Sequence, residues 1–253
     1  MQVKFAFQCS AAVAVVAFGL PALCLAQSAG KQPAPNRSRV QQVHVKPDMV
    51  NEWLDLQRHE VVPALKKGGT RTRTVYQTNI GPGFEFLIVT PFEKYAEFDG
   101  DGAQVKALGE AAAARLAEKL RKCTESNANW IITELTNISN IIPNAPPPAK
   151  IVSTRYRIAP GKMQDFQNLV KTDVLPALQK AKSPVTINSR GMGANPNDVV
   201  ATSPISKYAE FDEPSPLERA LGSDGMAKLL AKAVGILTPI ETIVRTRVAD
   251  LSF

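Results

Sequence analysis

The sequence predicts an α+β protein built from one β-α-β-β-α-β unit present twice in tandem. Three observations predict it: a self-match at a single spacing, strand and helix periods in the same order in both copies, and a proline-rich spacer between them. Each element can be justified in turn.

Laid on itself so that Pro47 falls on Pro160, the chain matches in blocks. Pro63-Ala64-Leu65 falls on Pro176-Ala177-Leu178, and Ala107-Leu108-Gly109 on Ala220-Leu221-Gly222. The block Lys94-Tyr95-Ala96-Glu97-Phe98-Asp99 repeats unchanged at Lys207-Tyr208-Ala209-Glu210-Phe211-Asp212. One displacement is expected to serve from end to end, and an identical run of that length at one register marks a duplication. The repeats are assigned to residues 40–140 and 150–253. The spacer at 141–149 carries Pro143, Pro146, Pro147 and Pro148, which favour stiff extended chain.

Within the first repeat, Val43 and Val45 alternate with Gln42 and His44, as in a strand. Val50, Trp53, Leu54, Val61, Ala64 and Leu65 follow at helical spacing, with Pro47 opening the turn. Met163, Phe166, Leu169, Val174 and Leu178 take the same places in the second copy. Strands are expected at Thr70 to Gln77 and Phe84 to Thr90 around a Gly81-Pro82-Gly83 turn. A second helix is expected from Ala107 to Lys122 and a last strand from Trp130 to Thr136. This is the split, ferredoxin-like order.

The N-terminal stretch reads differently. Lys4 precedes an apolar run from Phe5 to Leu25, and Cys24-Leu25-Ala26 offers small residues where a signal peptidase cuts. A secretory signal peptide is expected at 1–26, with a disordered linker at 27–39 and a periplasmic or secreted destination. Its removal lowers the net charge from +7 to +6 and takes away Cys9 and Cys24, leaving Cys123 without a disulfide partner. The basic residues are spread out and not interleaved with aromatics, so nucleic acid is not expected as a partner; nor is a membrane after cleavage.

A sheet with both helices on one face leaves its other face bare, and a second copy can cover it. Val45-Lys46-Pro47 at the strand exit, the helix ending Val-x-Pro-Ala-Leu, and the Lys-Tyr-Ala-Glu-Phe segment resemble the dimeric α/β-barrel superfamily. That superfamily includes antibiotic-biosynthesis-monooxygenase-like and NIPSNAP-like proteins. The resemblance spans both repeats. It implies two ferredoxin-like repeats closing into an intramolecular pseudo-dimeric barrel, each sheet ordered 4-1-3-2, with the last strand of one copy beside the second strand of the other. It also implies a monomer, since the chain supplies its own pair. Members include cofactor-free oxygenases and haem-binding or haem-degrading proteins. With His44 and His59 the only histidines, no haem residues carry over, and neither a cofactor nor a metal is expected.

Strand alternation then proposes a site. If Val45, Thr72, Thr74, Leu135, Ile158, Val185, Ile187 and Val248 face the helices, the interior carries Gln42, His44, Arg71, Arg73, Trp130, Ile132 and Glu134. The second copy adds Arg155, Arg157, Asn188, Arg190, Arg245 and Arg247. Guanidinium forks suit carboxylate or phosphate, and buried like charges need neutralising. A small anionic ligand is therefore expected against Arg73, Arg155, Arg157, Arg245, Arg247 and Trp130. The alternatives are a cofactor-independent monooxygenase-like enzyme, with His44 and Glu134 as acid/base candidates, and a structural or interaction module without a small-molecule site. Tyr95, Phe98, Tyr208 and Phe211 are expected to pack onto the core, and Cys123 to be a core residue.

Overall fold

The computed structural model describes residues 36–143 and 145–253; the expected signal peptide lies outside the described residues, as does the linker up to residue 35. The first repeat runs β1 (Arg37–Val45), α1 (Val50–Leu56), α2 (Val62–Lys67), β2 (Thr74–Ile80), β3 (Glu85–Phe92), α3 (Ala103–Leu108), α4 (Glu110–Cys123) and β4 (Thr124–Glu134). The second runs β5 (Lys150–Ile158), α5 (Met163–Leu169), α6 (Leu175–Lys180), β6 (Thr186–Arg190), β7 (Asp198–Ile205), α7 (Pro216–Ala233) and β8 (Leu237–Arg247). Residues Arg37 to Arg39, expected in the linker, are already β-strand because they pair with Phe92 to Thr90 and with Thr133 to Ile131.

The eight strands form a closed barrel in the order β1-β3-β2-β8-β5-β7-β6-β4, every neighbour antiparallel. Each repeat thus contributes a 4-1-3-2 sheet, and the seams are β2–β8 and β4–β6, as the resemblance implied. Because directions alternate around the ring, the two repeats run the same way along the barrel. One end holds the exits of β3 and β7, and the other holds their starts, Glu85 and Asp198.

Two helix features recur at equivalent places. A π turn, Gln57–Val61 and Val170–Val174, precedes Pro63 and Pro176. A proline cannot donate to the carbonyl four residues back and its ring crowds that carbonyl, so the helix widens there instead of breaking. Gly109 (φ 78°) and Gly222 (φ 71°) kink the second helix of each repeat, in a left-handed conformation that glycine adopts without steric cost. The second helix accordingly starts at Ala103, before its expected beginning, and turns a corner at Gly109.

Each sheet buries its outer face under its helices. In the first repeat Val43, Val45, Val75, Phe86 and Ile88 pack on Trp53, Val62 and Cys123, with the Trp53 and Phe86 rings 4.3 Å apart. Cys123 is fully buried, its thiol facing the Lys119 carbonyl, and burial pushes its pKa up, as suits a core residue. The cores are completed reciprocally. Leu251, at the tail of the second repeat, is fully buried in the first repeat's core, and Ile138, at the tail of the first, is fully buried in the second's. Backbone bonds between Phe253 and Arg73, and between Asn140 and Val185, fasten the two tails.

The block repeated without change forms a short turn of helix, Tyr95–Phe98 and Tyr208–Phe211. In both, the glutamate Oε1 accepts two backbone N–H groups: Glu97 from Glu93 and Lys94, Glu210 from Ser206 and Lys207. In the first repeat Tyr95 and Phe98 pack on the buried Phe92 ring, with centroids 5.2 and 4.9 Å away, as expected, although the aromatics of the block stay half exposed. Tyr95, Phe98, Tyr208 and Phe211 are 42–50% exposed, with Arg37 over the Tyr95 ring and Lys150 over that of Tyr208.

Candidate functional site

The barrel encloses a cavity of about 790 Å³. Its wall is chiefly apolar: Val40, Tyr76, Leu87, Val89, Trp130, Ile132, Ile151, Val200 and Ile243, with Ile141, Ile142 and prolines of the inter-repeat spacer across one end. Gln42, Glu134, Arg155, Asn188, Arg190, Glu241 and Arg245 supply the polar groups. Volume and lining suit a small organic molecule held by a few polar contacts. Tyr76 is buried in this wall, and burial raises its hydroxyl to about 12, so it stands as a neutral donor.

Alternation placed most of the expected interior residues correctly, with one strand out of phase. Tyr76 pairs with Leu87 and Asn188 with Val200. In the register that lays Pro47 on Pro160, Leu87 meets Val200 but Tyr76 meets Ser189, so the second strand of the two repeats is offset by one position. Such a slip exchanges the two faces of a strand. Thr74 consequently lines the cavity, whereas Arg73 lies under the helices, equivalent to Val185. There Arg73 is 3% exposed and donates to Gln57 Oε1 (2.7 Å) and to the Leu251 carbonyl (3.2 Å). Burial and the charge of Arg39 pull its pKa down to about 10. Arg73 is thus a pin holding the second repeat's tail, and Arg71 is an exposed residue paired with Glu93. Neither belongs to the site.

Of the other ligand candidates, Arg155, Arg245 and Trp130 line the cavity. Arg157 sits at the rim, 41% exposed, and Arg247 lies opposite Tyr76 beyond the lining. The acid/base pair does not assemble. His44 stands opposite Ser126 on β4, whose distance from Glu134 is about 25 Å along the strand. His44 faces Glu85 at 3.5 Å, outside the cavity lining.

The interior arginines do not wait for a ligand to neutralise them. Two carboxylates that strand alternation did not single out, Glu85 and Asp198, occupy the same place at the start of the third strand of each repeat and are 0% and 1% exposed. Glu85 Oε1 accepts from Arg245 Nη2 (2.7 Å) and from Thr78 Oγ1 (2.7 Å), and Oε2 from Gln42. Burial alone would raise the Glu85 pKa; Arg245, Thr78 and Gln42 together hold it below its ordinary value. Asp198 accepts from Arg155 Nη1 (3.0 Å) and twice from Arg157, and its pKa is likewise held down against burial. Glu241 takes the Arg155 Nε–H at 2.8 Å. The signal for both acids was present: they coincide in the register of the repeat, each the lone charge at the head of an apolar strand.

Arg190 is left over. Its side chain is 13% exposed, its contact with Asp198 is a long 3.8 Å, and among the described residues it makes no hydrogen bond. The guanidinium lies over the Trp130 indole, 4.2 Å from the ring centroid. Burial and then the charge of Arg155 lower its pKa. Asp198 and Glu241 engage Arg155 and Arg157 and leave Arg190 only its long contact, whereas the equivalent Glu85 is matched by Arg245. Among the described residues no group of three His, Cys, Asp or Glu side chains is arranged for a metal ion, and no helix is long and apolar enough to cross a membrane.

No protein-family model matches the sequence, and no curated protein matches it. Solved structures do resemble the fold. An anthrone oxidase-like protein superposes with a TM-score of 0.58 at 9% identity, over 84% of this chain and 91% of its own. A candidate monooxygenase from Fusobacterium nucleatum gives 0.57 at 11% identity, over 85% and 94%. Another, from Lactobacillus acidophilus, gives 0.52 at 9%, over 84% and 94%. At such identities the likeness speaks for the fold.

Proposed function

We propose that this chain, a dimeric α/β barrel with both halves in one polypeptide, holds a small monoanion with an apolar or aromatic body inside the barrel, and does so outside the cytoplasm as a monomer. One observation carries the reading: among the described residues, Arg190 alone of the cavity-lining arginines keeps its donors free while stacked on an aromatic wall. A guanidinium so placed offers a fork to a carboxylate or phenolate, next to a flat surface for a ring. One guanidinium with free donors suits a single negative charge on the ligand.

Calorimetric titration of the chain from Gln27 with 1-naphthoate and with neutral 1-naphthalenemethanol tests this. Saturable one-to-one binding of the anion is expected, weakened tenfold or more by Arg190→Met and unchanged by Arg73→Met. Absence of saturable binding, or full affinity in Arg190→Met, overturns it. Finding the protein inside the cell with its N-terminal segment 1–26 intact would refute export.

A second reading draws on the fold neighbours described as candidate monooxygenases and as anthrone oxidase-like: cofactor-independent oxidation of a bound phenol by dioxygen. Glu134 is its base candidate, as a cavity-lining carboxylate with no ion pair among the described residues, and His44 is too distant to assist. Oxygen uptake with a panel of phenols and quinols, abolished in Glu134→Gln, would favour it over simple binding.

A further inference from the structure

Among the described residues, two buried side-chain polar atoms lack a hydrogen-bond partner: Arg190 Nε and Glu134 Oε1. Leaving such an atom unpaired costs about 1–3 kcal/mol, so folded chains leave few of them. Both belong to residues that line the cavity, and they stand on facing strands of one seam, β4–β6. One is a donor and the other an acceptor. Glu134 Oε2 is already fixed by Asn36 Nδ2 at 2.6 Å, which holds the carboxylate in place while its second oxygen goes unused.

The register gives their spacing. Ile132 lies opposite Arg190 and Glu134 opposite Asn188, so Glu134 and Arg190 are diagonal neighbours, about 7–8 Å apart at the backbone. Two side chains rooted that close on one face can both reach a single small ligand, and Trp130 and Ile132 provide its apolar floor. The equivalent positions at the other seam, Thr78 and Arg247, do not reproduce the arrangement. Thr78 is hydrogen-bonded to Glu85, and an arginine replaces the carboxylate.

We infer that the ligand is bifunctional: an anionic group meets Arg190 and a hydroxyl or amine on the same molecule donates to Glu134. The chemical class is a hydroxyaryl or aminoaryl carboxylate. This rests on the proposed binding reading and narrows it.

Calorimetry of the chain from Gln27 with 4-hydroxybenzoate, 4-methylbenzoate, benzoate and 4-hydroxybenzamide separates the two levels. In the wild type, 4-hydroxybenzoate is expected to bind about tenfold tighter than 4-methylbenzoate, the discrimination one hydrogen bond to a charged group provides. Glu134→Leu is expected to bring that ratio to about one, while benzoate and 4-methylbenzoate bind somewhat more tightly because a negative charge beside Arg190 is gone. Arg190→Met weakens all three carboxylates and leaves the amide as it was. Carboxylates that bind with no hydroxyl preference, or a preference that survives Glu134→Leu, overturn the inference alone. Failure of every carboxylate to bind removes the underlying reading too. The wild-type ratio needs no variant, so misfolding of Glu134→Leu cannot shelter the claim.

Discussion

Glu85 and Asp198 descend from one position, lie equally deep, and are neutralised in different ways. Glu85 is held by Arg245, which comes from the other repeat across the β2–β8 seam. Asp198 is held by Arg155 and Arg157 from its own repeat, both partly open to solvent. At the first position the ion pair clamps two halves together and is closed to water. At the second the acid orders a cluster of arginines, one of which keeps its donors free. Duplication within one chain permits this division, because each copy can specialise without its partner changing in step.

The sharpest way to break the comparison is to remove the acids separately. Glu85→Gln leaves Arg245 buried without a counter-charge and is expected to cost about 3–5 kcal/mol in urea unfolding. Replacing both Glu85 and Arg245 by leucine should cost less than the sum of the single changes. Asp198→Asn is expected to cost about 2 kcal/mol, since Arg155 keeps Glu241 and Arg157 reaches water. The same change should tighten monoanion binding several-fold by removing a negative charge next to Arg190. Equal costs for the two acids would erase the distinction between clamp and cluster.

Acid titration sharpens it further. Both carboxylates have folded pKa values below their unfolded ones, near 4.3 for Glu and 3.9 for Asp. Their stabilisation is therefore complete above those unfolded values and is lost as pH falls through the folded ones. Stability followed by urea midpoint should be flat in this respect above about pH 5 and fall steeply below about pH 4, with a shallower fall in Glu85→Gln. The smallest effect is expected for Arg73→Met, within about 1 kcal/mol. Relief of a buried charge offsets the partners lost by Gln57 and Leu251.

Much of this was legible in the amino-acid order. The repeat, the element types and the pairing of Trp130, Glu134, Arg155, Arg190 and Arg245 on one face all follow from period-two alternation once the duplication is seen. Arg73 was misplaced because a single rigid displacement between the copies conceals a one-position offset confined to β2 and β6, and alternation inverts on a single slip. The neutralising acids were overlooked for a different reason. Glu85 and Asp198 stand at strand starts, where a charge reads as a solvated end, and only barrel closure carries Arg245 to Glu85. Likewise His44 and Glu134 share a face, but the length of β4 keeps them apart.

The reciprocal tails have a consequence for how the polypeptide can be divided. Cutting in the proline-rich spacer gives two fragments, each lacking the hydrophobic plug that its own core requires and carrying the plug its sibling needs. Separately expressed, such pieces should remain unstructured alone and recover cooperative unfolding only when mixed, the behaviour of a complementing fragment pair.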